Sequence, residues 1–191
     1  MHVTGVVLAA GSSRRLGCDK RTLRLDTGET LLQHSVARLL EVVDDVVVVL
    51  RSTDSALAAS LPTRSLQVCM NSQPQRGMGY SLRQGIAASA DADGWLVLPV
   101  DLPFLRVETI ARARSVLRPG RAVVPVCHGR RGHPVALSAY FGPQLLGLDG
   151  DAGARRLLDR EHDRVHWMNV HDPGIYRDID QPQDLLSLRP T

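Results

Sequence analysis

The segment VVLAAGSSRRLGCDK, Val6 to Lys20, passes from an apolar stretch across Gly11 into a short run that carries Arg14, Arg15 and Lys20. An apolar run that stops at glycine reads as a buried β-strand. The glycine permits backbone angles that other residues avoid and lets amide groups approach an anion closely. Basic side chains on such a loop can add charge-assisted hydrogen bonds to a phosphate. By composition alone the same loop also reads as a solvated basic turn. It lacks the contiguous Gly-Lys-Ser/Thr of a Walker loop and the three-glycine dinucleotide fingerprint.

Working outward, short apolar runs alternate with longer amphipathic ones. Residues 3–10, 46–50, 66–70, 95–100 and 122–126 read as strands, bounded by Gly, Pro, Asp or Asn. Between them, residues 29–43, 81–90 and 107–117 place apolar side chains three and four positions apart, as one face of a helix requires. The runs DDVVVVL and GWLVLPV are almost continuously apolar, as strands covered on both faces must be. The expectation is an α/β fold with a mostly parallel sheet, its ligand at the carboxyl ends of the strands. Beyond Gly120 the stretches VALSAY, VHWMNV and IYRDI read as further strands of either direction.

Composition narrows the classes. A chain of 191 residues with 43% hydrophobic and 23% charged residues fits one globular domain spanning residues 1–191. A net charge of +3, with arginines scattered along the chain, points to a small anionic ligand and not to nucleic acid. No stretch is long enough for a membrane span, and the first residues do not resemble a signal peptide, so a cytoplasmic protein is expected. Cys18, Cys69 and Cys127 share no metal-ligand spacing and read as reduced thiols.

In WLVLPVDLPFL, Asp101 directly follows an apolar strand, which brings its carboxylate to the sheet edge of the Gly11 loop if the two strands are neighbours. It reads either as a turn or cap aspartate or as a Mg²⁺ ligand acting with substrate phosphates. RDIDQPQDL supplies Asp178 and Asp180, two apart and therefore on one face of a strand. Alternatively, Asp180 caps a helix opened by Pro182.

LAAGSSRRLG followed by Lys20 resembles the signature of the molybdenum cofactor nucleotidyltransferases, in particular their cytidylyltransferase branch. The segments NSQPQRGMGYSLRQGI, VDLP, GRRGHPVALS, DGDAGARRLL and DIDQPQDL are similar to the family's later motifs, in family order. Departures are small: Leu16 stands for a usual Met and Gln181 for a common Thr.

The resemblance implies a three-layer α/β/α sandwich with a Rossmann-like central sheet, of the nucleotide-diphospho-sugar transferase type. It implies Mg²⁺-dependent transfer of CMP from CTP to the terminal phosphate of molybdopterin cofactor, with pyrophosphate released. An apo-molybdoenzyme is the protein partner such a product implies. On this basis Arg15, Lys20 and Asp101 are the catalytic candidates. Leu8, Ala10, Gly11, Arg15, Lys20, Asn71, Gly77 and Ser81 are expected on the nucleotide, Asp101 and Asp180 on the metal, and His133, Asp151 and Arg155 on the acceptor. Arg14 falls at a variable position and receives no role. By residue type alone, His133 also reads as a hydrogen-bonded structural residue and Asp151 as a helix N-cap. Ala10, where guanylyltransferases more often carry glycine, points to CTP over GTP. A GTP-dependent guanylyltransferase and a non-catalytic nucleotide-binding protein are the competing readings.

Overall fold

The computed structural model describes residues 1–11, 16–181 and 183–184. Among these residues eight strands form one sheet: β1 (Val3–Leu8), β2 (Asp45–Arg51), β3 (Leu66–Asn71), β4 (Gly94–Pro99), β5 (Ala122–Cys127), β6 (Arg130–Arg131), β7 (Val135–Ser138) and β8 (Val165–Asn169). The helices are α1 (Leu31–Leu40), α2 (Ser55–Ala59), α3 (Met78–Ala87), α4 (Val107–Val116), α5 (Gly142–Leu146) and α6 (Arg155–Arg160). The strand order is β3-β2-β1-β4-β7-β5-β6, with β8 paired to β5. The first four strands are mutually parallel, as are β5 and β8, while β7 runs antiparallel to β4 and β5.

Two hydrophobic clusters show why the sheet is covered on both faces. Val46, Val48 and Leu50 of β2 pack with Leu32, Val36 and Leu39 of α1 and Ile110 of α4. The intervening Val47 and Val49 pack with Leu82 and Ile86 of α3 and Leu157 of α6. Alternate side chains of a strand point to opposite faces, so an unbroken valine run needs a helical layer on each side. The architecture is thus a mostly parallel three-layer α/β/α sandwich.

Local chemistry sets the helix starts. Thr30 and Gln33 form a reciprocal capping box at α1, with Gln33 N to Thr30 Oγ1 at 3.2 Å and Thr30 N to Gln33 Oε1 at 2.9 Å. At α4 the distant Asp172 acts as the cap, accepting from Arg106 N at 3.0 Å and from the Thr109 hydroxyl at 2.6 Å. Asp101 therefore is not that helix's cap.

Two expectations need correction. IYRDI is not a strand, so Asp178 and Asp180 do not share a strand face. Ile175 instead accepts from His133 N at 2.8 Å, and Ile179 N donates to the Asp101 carbonyl at 3.0 Å, so this stretch crosses the ends of other strands. Asp151 does not cap a helix, because α6 begins at Arg155 and Ala154 holds the cap position. Asp180 N donates to the Asp184 carboxylate at 3.0 Å, while Pro182, at which the alternative reading of Asp180 places a helix start, lies outside the described residues.

Candidate active site

Strands β1 and β4 are hydrogen-bonded neighbours, with Leu8 opposite Pro99, so the chain after each leaves the sheet at the same edge. Val100 N donates to the Leu8 carbonyl at 3.2 Å, which carries the contact past the strand ends. Lys20 returns to this edge on a 3-10 turn over Lys20–Thr22, whose start is capped by Asp19 accepting from Arg21 N at 3.1 Å. Its ammonium lies 2.7 Å from Asp101 Oδ2, 3.3 Å from the Ile179 carbonyl and 3.5 Å from Asp180 Oδ1. Three segments far apart in sequence thereby converge on one nitrogen.

The electrostatics follow from that convergence. Burial works against the charged form of Lys20, but the Asp101 carboxylate, and then Asp180, hold its pKa above the usual lysine range. Asp178 stands on the exposed rim. Partial desolvation, followed by the nearby negative charges of Asp101 and Asp180, pushes its pKa up. Among the described residues, Asp101, Asp178 and Asp180 are the carboxylates that bear on this ammonium.

A pocket of about 540 Å³ opens beside this cluster. Leu8, Ala10, Gly11, Lys20, Gly77, Ser81, Asp101 and Asp151, all singled out from the sequence, line it. Gly77 precedes α3 with φ +94°, and a Cβ there would sit 2.6 Å from the Gly150 carbonyl carbon, against Asp151 as well. Only glycine lets the loop over residues 149–151 close on the start of α3, where Gly79 N donates to the Gly150 carbonyl at 2.7 Å.

Other expected residues sit elsewhere. Asn71 is buried behind the wall, where its Nδ2 donates to Ser81 Oγ at 3.1 Å and its Oδ1 accepts from Gln73 N at 2.8 Å. It fixes Ser81 instead of facing the cavity. His133 is half-buried and outside the pocket lining, close enough to Asp101 to feel its charge, and desolvation lowers its pKa to about 4. Arg155 is exposed and does not line the pocket. Asp180 meets Lys20 but stands outside the lining, and Arg14 and Arg15 lie outside the described residues.

Sequence reading missed Arg21 and Arg51, which also line the pocket. Arg21 is only 1% exposed, between Asp19 and Asp54. Arg51 shares both carboxylates. The signal was a weak one: two basic and two acidic residues dispersed between positions 19 and 54, each individually typical of a surface.

The sequence matches the MobA-like NTP transferase domain over residues 5–165. This chain belongs to the MobA-like NTP transferase family. Among its relatives are "nicotine blue oxidoreductase" of Paenarthrobacter nicotinovorans, 32% identical over 97% of this chain and 96% of the relative, and the purine catabolism protein PucB of Bacillus subtilis, 34% identical over 98% and 96%. A "probable molybdenum cofactor guanylyltransferase" of Opitutus terrae is 33% identical over 70% of this chain and 64% of the relative. In three dimensions the chain is similar to Rv0371c of Mycobacterium tuberculosis, with a TM-score of 0.86 and 28% identity over 98% of this chain and 96% of the other. A manganese complex of Rv0371c superposes with a TM-score of 0.79 at 25% identity, over 98% of each chain.

The donor chemistry of that end suits a hard divalent cation. Among the described residues no three His, Cys, Asp or Glu side chains stand at ligating spacing. Asp101 and Asp180 nonetheless both reach the Lys20 ammonium, and Mg²⁺ characteristically takes one or two carboxylates and completes its shell with phosphate oxygens and water.

Proposed function

We propose that this nucleotidyltransferase moves CMP from CTP to the terminal phosphate of molybdopterin cofactor and releases pyrophosphate. The 191-residue chain acts as one NTP-transferase domain in the cytoplasm, and its product passes to an apo-molybdoenzyme. The observation that carries the reading is the meeting of Lys20, Asp101 and Asp180 beside a pocket lined by Ala10, Gly11, Gly77 and Ser81. The CTP preference rests on Ala10 in LAAG. The molybdopterin acceptor rests on the motif series and on relatives named as molybdenum cofactor guanylyltransferases.

The reaction asks for alignment and charge compensation, and for little proton transfer. An acceptor phosphate oxygen attacks the α-phosphorus of CTP in line, forming the new P–O bond as the bond to pyrophosphate breaks. The nucleophile is already an anion, so no general base is needed, and a His133 that is neutral at pH 7 fits a positioning role on the acceptor side. Asp151 lines the same cavity, and Arg155, four residues further on, is assigned to the acceptor with it. Lys20 and Arg15 offset the charge gathering on the leaving pyrophosphate. Mg²⁺ held by Asp101 and Asp180, with Asp178 beside them, would supply Lewis-acid polarisation of the phosphates.

Pyrophosphate release with each of the four nucleoside triphosphates, with and without Mg²⁺ and molybdopterin, tests this reading. Release that needs CTP, Mg²⁺ and molybdopterin together is expected. GTP as the preferred donor would make the protein a guanylyltransferase, and no release under any combination would leave a nucleotide-binding protein without turnover.

A further inference from the structure

Arg21 and Arg51 stand side by side in the pocket wall, and counting donors separates their roles. A guanidinium has five N–H donors. Arg21 uses all of them, through Nε and Nη2 to Asp19, Nη2 and Nη1 to Asp54, and Nη1 to the Ala9 carbonyl. It is a buried strut. Arg51 gives Nε to Asp54 and one Nη2 hydrogen to Asp19. Its second Nη2 hydrogen and both hydrogens on Nη1 have no partner among the described residues, and 27% of the side chain is exposed.

Charge says what kind of group those spare donors suit. The two arginines and the two aspartates sum to zero, so Arg51 presents hydrogen-bond donors to the pocket without surplus positive charge. That arrangement serves a neutral acceptor better than a phosphate. Position says which part of a nucleotide carries the acceptor. The order β2-β1-β4 separates Arg51, the last residue of β2, from the cluster at the end of β4 by two strand spacings, about 10 Å. Arg51 pairs in register with Asn71, near Pro74 and Gln75.

Resting on the transferase reading, in which the triphosphate lies at Lys20 and Asp101, we infer that Arg51 donates to a ring carbonyl oxygen of the nucleobase and so makes the pocket reject adenine. Cytosine, uracil and guanine each carry such an oxygen. Adenine carries none, and its amino group would meet the guanidinium donor against donor. A site that hydrogen-bonds its substrate discriminates against the analogue lacking the partner, because its own polar group is left unpaired.

Equilibrium binding of CTP, GTP, UTP and ATP in Mg²⁺, without acceptor, tests this on the full chain with wild type, Arg51→Met and Arg51→Lys. Wild type is expected to bind its best oxo-base nucleotide at least tenfold more tightly than ATP, and Arg51→Met to lose about ten- to a hundredfold for that nucleotide with little change for ATP. Arg51→Lys, which keeps the charge opposite Asp19 and Asp54, should retain part of the ratio and guards against a Met variant that folds poorly. Equal binding of ATP by wild type, or an unchanged ratio in Arg51→Met, would overturn the inference while leaving nucleotide binding intact. Failure of wild type to bind any of the four would overturn the transferase reading and this inference with it.

Discussion

Lys20 Nζ lies 2.7 Å from Asp101 Oδ2, a bond that joins a turn after β1 to the chain after β4 across 81 residues. Both residues line the pocket, and in the proposed reading the lysine meets the phosphates of a bound nucleotide. Lys20→Ala should therefore lower kcat about a hundred- to a thousandfold, equivalent to roughly 2.7–4 kcal/mol, as loss of one preorganised donor typically does. Steady-state rates at saturating nucleotide, with circular dichroism to verify the fold, check it. A rate near wild type would remove Lys20 from the chemistry.

Arg21 belongs to stability. Its guanidinium is buried between Asp19 and Asp54, and Arg21→Met strands two carboxylates that Arg51 alone must satisfy. Breaking a buried pair from one side costs roughly 3–5 kcal/mol. Arg76 and Asp149 form an exposed pair, and Arg76→Ala should leave the unfolding midpoint unchanged. Urea denaturation of the two variants side by side gives the contrast; similar losses would contradict it.

Gly77→Ala tests the loop closure over α3. The backbone at φ +94° disfavours any side chain, and the new methyl would overlap the Gly150 carbonyl. A loss of about 1–3 kcal/mol is expected, along with weaker nucleotide binding as residues 149–151 move away from Ser81. Calorimetric titration with CTP and a urea unfolding curve measure the two effects separately.

His133 gives a pH dependence. Its folded-state pKa is about 4 against an ordinary 6.5, so above pH 6.5 it is neutral whether folded or unfolded. As pH falls from 6.5 to 4 the unfolded chain takes up a proton that the folded chain refuses, and stability declines by on the order of 2–3 kcal/mol from this group. His133→Gln should remove that component, so that wild type loses its stability relative to the variant across this window. Parallel stability curves between pH 7 and 4 would contradict the burial argument.

The parts of the fold that could be read from the sequence are those where one residue pattern has one structural outlet. The valine run of β2 demands helices on both faces, and the chain after β1 and after β4 had to meet once those strands were neighbours. Asp101 and Lys20 were legible for that reason. The acidic pair near the C-terminus was misread as a strand because Ile175 and Ile179 suggest alternation, whereas their backbone bonds go to His133 and Asp101. Asp151 looked like a cap because an acidic residue preceding an apolar helical run usually is one; here the helix begins four residues later and the side chain turns to Gly77. Arg21 was invisible since its partners, Asp54 and the Ala9 carbonyl, become neighbours only after β1 and β2 pair.

The most direct measurement is a crystal structure with Mg²⁺ and a non-hydrolysable CTP analogue. The account predicts the triphosphate against Lys20 and the loop after Gly11, the cation on Asp101 and Asp180, and the base toward Arg51. A nucleotide bound elsewhere, or phosphates remote from Lys20 with Asp101 still closed upon it, would contradict it.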